Sequence, residues 1–80
     1  MYYINWNNGL KNEFNGTINE AKEYADERIN YTQANVTIEN EKEEKIYIRK
    51  WYGTKASEED KERNIIEYGN FGFYDEWIEI

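Results

Sequence analysis

The chain contains no cysteine, no histidine and no proline, and its 10 bases are outnumbered by 17 acids. Without cysteine there is no disulfide and no thiol nucleophile. Without histidine there is no imidazole to move protons near neutral pH, and a structural zinc lacks both of its usual ligands. The lack of cysteine fits a reducing compartment, so a cytoplasmic location is expected. Residues 1–7, MYYINWN, lack the basic and apolar regions of a secretory signal, and no apolar run approaches the roughly 20 residues of a membrane helix. A net charge of -7 on 80 residues opposes binding to nucleic-acid phosphates and to anionic membranes. The partner it favours is a basic protein surface.

What is present in quantity is aromatic: three Trp, eight Tyr and three Phe. A chain of this length is expected to form one domain, residues 1–80, with a single modest core. With no covalent or metal staple, rings that bury roughly 150–250 Å² each must supply that core. Rings and carboxylates without a thiol or an imidazole favour a protein that binds over one that reacts.

Tyr2, Ile4 and Trp6 alternate with Tyr3 and Asn5 at the period of a half-buried strand, Asn8-Gly9 supplies a tight turn, and Leu10, Asn12 and Phe14 share one face of a return strand. A hairpin over 2–14 follows. Thr17 and Glu20 form a capping box, after which Ile18, Ala21, Ala25 and Ile29 fall on one stripe, predicting an amphipathic helix to Ile29 with Tyr24 at its margin. Residues 36–38 and 46–51 read as strands around a charged turn at 40–44, the second with Ile46 and Ile48 on one face and Tyr47, Arg49 and Trp51 on the other. Residues 54–64 hold only Ala56 as an apolar side chain and read as an exposed charged loop outside the core, with Ser57 able to cap one helical turn. Residues 65–68 and 71–74 flank Gly69-Asn70 as a second hairpin, and 77–80 close the chain as a strand. The expected fold is α+β, one helix packed on a small antiparallel sheet in the order β-β-α-β-β-loop-β-β.

Catalytic constellations are sparse. Glu43-Glu44-Lys45 contains the E-x-K element of metal-dependent nucleases, but it falls in the charged turn and not on a strand facing a second acid, so a solvated turn is the better reading. The single serine, Ser57, has no histidine to activate it. No catalytic residue, metal ligand or cofactor site is assigned.

Three surfaces are candidates for binding. Glu20, Glu23 and Glu27 line the helix face opposite the apolar stripe, on adjacent turns whose carboxylates stand roughly 5–6 Å apart, close to phosphate spacing along a nucleic-acid strand. The plain alternative is an ordinary solvated face. Glu58, Glu59, Asp60 and Glu62 form a second acidic set in the loop, a flexible finger or simply a solubilising segment. Trp51, Tyr52, Phe71, Tyr74 and Trp77 exceed what one helix can cover and could serve as an aromatic interface, including one between two copies of the chain. Arg49 with Trp51 and Tyr52 could also stack a nucleotide, although cross-strand packing is the better reading of them.

Tyr31-Thr32-Gln33 leading into Val36-Thr37-Ile38, then Ile48-Arg49-Lys50-Trp51-Tyr52-Gly53, then Phe71-Gly72-Phe73-Tyr74-Asp75-Glu76-Trp77 resemble small uncharacterised acidic proteins of Gram-positive mobile genetic elements. The resemblance implies a phage or transposon setting, in which proteins of this size and charge are frequently inhibitors of host defence, among them anti-CRISPR and anti-restriction proteins. The function expected is a non-catalytic protein that blocks a basic, nucleic-acid-binding surface of a defence enzyme. The alternatives are a homo-oligomeric structural or regulatory protein and a nucleotide sponge.

Overall fold

The computed structural model describes residues 1–30 and 33–80; Tyr31 and Thr32, part of the resemblance above, lie outside the described residues. Strands β1 (Tyr2–Asn5) and β2 (Lys11–Phe14) form the first hairpin, with Tyr2 opposite Phe14 and Asn5 opposite Lys11. Its turn is closed by Trp6 N donating to Leu10 O at 3.1 Å, with Asn7 at φ 55° and Gly9 at φ 95°. Helix α1 (Ile18–Arg28) then crosses to β3 (Val36–Glu39), which pairs with both β1 and β4 (Lys45–Arg49). With β8 (Ile78–Glu79) at the far edge, a five-stranded antiparallel sheet runs β2-β1-β3-β4-β8. The α+β fold read from the sequence is the fold observed.

The helix forms where its local signals put it. Glu20 N donates to Thr17 Oγ1 at 3.1 Å and Thr17 N donates to Glu20 Oε1 at 2.9 Å, which satisfies two backbone donors that the first turn would leave open. Ala21 and Ala25 are completely buried, and Ile18, Tyr24 and Ile29 pack at the margins of the core. Small side chains at these two positions let the helix lie close on Ile4, Val36 and Ile38 of the sheet. The extended backbone of Ile29 ends the helix one residue before the expected boundary.

The strand expected over 46–51 is divided. Val36 opposite Arg49 is the last pair that β3 can offer. Beyond it Trp51 N donates to the Asn35 side chain at 2.9 Å, and the chain leaves the first sheet. Residues Trp51–Tyr52 become β5 of a second, three-stranded sheet ordered β5-β7-β6, with β6 at Ile66–Glu67 and β7 at Phe73–Tyr74. The second hairpin therefore exists as expected, although its turn runs through a short 3-10 segment at Gly69–Phe71 and ends on Gly72 at φ 148°. Trp51, Tyr68 and Tyr74 meet edge to face with centroids 4.8–5.9 Å apart, and Tyr52 stacks on Phe73.

Residues 54–64 are more ordered than their composition suggests. Ala56 is buried, contrary to expectation, and Ser57 and Asp60 make a reciprocal box in which each backbone N–H is accepted by the other's side chain. Arg63 then grips Asp60 and Asp75, both at 2.8 Å, tying this segment to the end of β7. A loop judged by composition alone hides such distant ties.

Candidate interaction surface

The structure brings Glu20, Glu23 and Glu27 together on the outward face of α1, opposite buried Ala21 and Ala25. Seven residues of helix separate the first from the last, roughly 10 Å of rise. Their electrostatic settings differ. Glu20 is held in the capping box, and hydrogen bonding to its carboxylate from Thr17, backbone first and side chain second, pulls its carboxyl below the ordinary glutamate range. Glu27 lies 3.7 Å from Arg28 on the exposed surface, a distance and setting at which pairing is weak. The Glu23 carboxylate makes no ion pair or hydrogen bond among the described residues and is exposed. The ridge thus presents three carboxylates to solvent, one fixed by the backbone and two free to reorient.

The loop acids are not equivalent. Glu58, Glu59 and Glu62 are exposed, but Asp60 is half-buried, and its hydrogen bonds from Ser57 and Arg63 lower its carboxyl below the ordinary aspartate range. It belongs to the clamp that orders the segment, so it is removed from the candidate binding set.

The aromatic candidates also divide. Tyr74 is 0% exposed and its hydroxyl donates to Asn30 O at 2.8 Å, so it is core and cannot contact a partner. Trp51 is half-buried in the ring cluster, and Trp77 is half-buried with its indole N–H donated to Asp26 at 3.0 Å. Phe71, 71% exposed, and Tyr52, 42% exposed, are the two that present most surface.

The nucleotide-stacking surface is contradicted at its cation. Arg49 is 1% exposed on the helix-facing side of the sheet, donates through Nη1 to Asn64 O and Asp75 O at 3.1 Å, and lies 3.5 Å from Asp26. Burial pushes its guanidinium below its ordinary value, with Asp26, Asp75 and Glu76 acting against that shift. Asp26 is in turn raised by its own burial, which outweighs Arg49 and Trp77. This knot joins α1, the central sheet and the chain after β7. Arg49 is a structural ion, out of reach of a ligand stacked on Trp51 and Tyr52.

Lys45 of the Glu43-Glu44-Lys45 element opens β4 opposite Glu39, contrary to expectation, because the β3–β4 pairing reaches that far, while Glu43 and Glu44 lie in the expected solvated turn. Asn40 organises it, its side-chain oxygen accepting from Lys42 N and Glu44 N, and Glu43 turns outward at φ 61° to meet Lys11 at 2.9 Å. Lys11 also reaches Glu39 at 2.7 Å, and Asn5 donates to the other Glu39 oxygen at 2.9 Å. Burial alone would raise the Glu39 carboxyl, but those bonds outweigh it and hold it below the ordinary range. Among the described residues no group of three or more acidic, histidine or cysteine side chains is gathered to hold a metal ion.

Sequence reasoning missed one feature near the helix end. A half-open cleft of about 310 Å³ lies between the first hairpin turn and α1, bordered by Trp6, Leu10, Asn12, Tyr24 and Arg28. Its polar side is set by Trp6 Nε1 donating to Asn12 Oδ1 and by the Arg28 guanidinium lying 3.8 Å over the Tyr24 ring. The exposed Leu10 after the Asn8-Gly9 turn was its only signal in the sequence. No helix among the described residues is long and apolar enough to cross a membrane. No protein family, curated protein or solved structure matches this chain.

Proposed function

We propose that the chain is a small acidic binding protein without catalytic activity, which lays the outward face of α1 against a basic surface of a cytoplasmic protein and blocks it. The observation that carries this reading is the Glu20/Glu23/Glu27 ridge on a helix whose other face is anchored through two alanines. A ridge on a packed helix loses little conformational freedom on docking, in contrast to acids on a mobile segment. Carboxylates repeating along roughly 10 Å suit a groove lined with Lys and Arg for a phosphate backbone. The partner class is therefore a nucleic-acid-handling protein, and the resemblance to mobile-element proteins favours a host defence enzyme of the kind that anti-CRISPR proteins inhibit.

The test uses immobilised chain to capture proteins from a Gram-positive host lysate, followed by nucleic-acid binding assays on what is retained. Captured proteins are expected to lose DNA or RNA binding when the chain is added, and Glu23→Lys/Glu27→Lys is expected to abolish that loss. Glu20→Gln belongs with this pair in place of a charge reversal, because Gln preserves the capping box. Captured proteins that keep their nucleic-acid binding in the presence of the chain would refute the blocking role.

A further inference from the structure

One of the two edges of the five-stranded sheet is β2, and we propose that it is a self-complementary edge through which two copies of the chain pair about a two-fold axis. The first observation is which backbone groups it leaves open. Trp6 N donates to Leu10 O across the hairpin, so with the alternation of an antiparallel ladder the Ile4–Asn12 and Tyr2–Phe14 pairs are bonded within the hairpin. Lys11 and Glu13 then turn their N–H and C=O groups away from β1. The same alternation turns Tyr3 and Asn5 toward Glu39 and Thr37 of β3, as the observed register requires. Nothing in the described fold pairs with the outer side of β2, which ends the sheet.

The second observation is the order of side chains along that edge, Leu10-Lys11-Asn12-Glu13-Phe14. An antiparallel copy centred on Asn12 sets Lys11 opposite Glu13 of the second copy, Glu13 opposite its Lys11, Leu10 opposite its Phe14 and Asn12 opposite its Asn12. In that register the residues with open backbone groups, Lys11 and Glu13, form the hydrogen-bonded pairs, and Asn12 falls at a non-bonded pair, so backbone and side-chain demands agree. Such mutual matching is what a two-fold interface requires, because each residue must suit its symmetry-related neighbour. Leu10 is 64% exposed, and Phe14 is half-buried against Tyr24 with ring centroids 4.9 Å apart, so the Leu10 of a second copy would extend an existing apolar contact.

The third observation concerns the usual guard. A lysine on an edge strand normally projects outward and discourages pairing. Here Lys11 is drawn back over its own sheet by Glu39 and Glu43 and lies 5.4 Å from the Tyr3 ring centroid. Glu13 has no ion pair among the described residues. In the paired dimer it stands opposite the second copy's Lys11, which can exchange its exposed contact with Glu43 for Glu13 while keeping Glu39.

Sedimentation of the full chain from micromolar to millimolar concentration is the test. A reversible monomer–dimer equilibrium is expected. Glu13→Pro removes an N–H that the hairpin does not use and is expected to leave a folded monomer. Glu13→Lys sets lysine against lysine twice and is expected to weaken association roughly tenfold or more. Asn12→Cys places two thiols at a non-bonded pair with Cα atoms roughly 4.5 Å apart, within disulfide range. Diamide is expected to take two electrons and two protons from them and give a covalent dimer, whereas Asn19→Cys on the helix gives no covalent β2-edge dimer. Glu23→Lys/Glu27→Lys is expected to dimerise as the parent chain does, which separates this edge from the acidic ridge. A chain that stays monomeric at millimolar concentration refutes the proposal. So does a dimer that folded Glu13→Pro leaves intact; should that variant not fold, undiminished association of Glu13→Lys has the same force.

Discussion

Replacing Gly72 with alanine tests the aromatic end of the core at one atom. Its backbone, φ 148° and ψ -170°, lies in a region essentially reserved for glycine, which costs other residues on the order of 1–3 kcal/mol. An added Cβ would also collide with the Tyr52 carbonyl oxygen and approach Trp51 Cη2 to 2.7 Å. One obstacle is backbone and the other is a ring held between Tyr68 and Tyr74, so neither gives way cheaply, and overpacking of this kind adds roughly 1–3 kcal/mol. The expected loss is about 4 kcal/mol, against a total of about 4–12 kcal/mol for a chain of this length. Gly9 is the control: at φ 95°, with nothing within 4 Å of its added Cβ, alanine there meets only the left-handed backbone cost of about 1–2 kcal/mol. Urea unfolding followed by tryptophan fluorescence measures both. The Gly72→Ala midpoint should fall by roughly 2 M relative to the parent, for a slope of about 1–3 kcal/mol/M, and the Gly9→Ala midpoint by far less. Equal losses at the two glycines would refute the packing described for Trp51 and Tyr52.

Arg49→Met leaves Asp26 without its buried cation and the carbonyls of Asn64 and Asp75 without a donor, so a loss of roughly 3–5 kcal/mol is expected in the same assay, partly recovered by adding Asp26→Leu. Thr37→Val should hold stability or raise it by up to about 1 kcal/mol, because the buried Thr37 hydroxyl has no hydrogen-bond partner among the described residues. Glu39 and Asp60 are held below their ordinary values in the fold, so the stability they contribute is complete above the unfolded carboxylate range and is lost as pH falls through their folded values. Asp26, raised by burial, has the opposite sign: its contribution is complete below its unfolded value and is lost as pH rises through its folded one. Thermal unfolding between pH 7 and pH 3, conditions set by roughly these titration ranges, should therefore show a decline that Glu39→Gln makes shallower and Asp26→Asn does not.

What was legible in the sequence was local. The Thr17–Glu20 box, the Ala21/Ala25 stripe and the first hairpin turn act within one or two turns of chain; the first two appear where the residues put them, and the turn forms in place but with positive φ at Asn7 and Gly9 and not at Asn8. The structural role of Arg49 is the reading that cross-strand packing favours, but its partners are too distant to read from the sequence: Asp26 lies on the helix, and Asn64 and Asp75 stand on either side of the last hairpin. Its position opposite Val36, on the central strand's neighbour, was the available sign that it would be enclosed. The split of the 46–51 strand depends on where β3 runs out and on a side-chain cap from Asn35, neither of which periodicity reports. In the loop, Ser57 reads as a cap from the sequence, but its return partner Asp60 is hidden among the neighbouring acids, although Ser-x-x-Asp spacing carries the same reciprocal logic as Thr-x-x-Glu.

The central claim is that the α1 ridge is the binding surface. The most direct measurement is the salt dependence of affinity between the chain and its captured partner, compared for the parent and for Glu20→Gln/Glu23→Lys/Glu27→Lys of unchanged circular dichroism. Affinity of the parent should fall steeply as salt shortens the Debye length below roughly 8 Å, and the variant should bind weakly with little salt dependence. Unchanged affinity and an unchanged salt slope in the folded variant, with binding lost instead in Tyr52→Ala/Phe71→Ala, would contradict the account and assign the interface to the exposed rings.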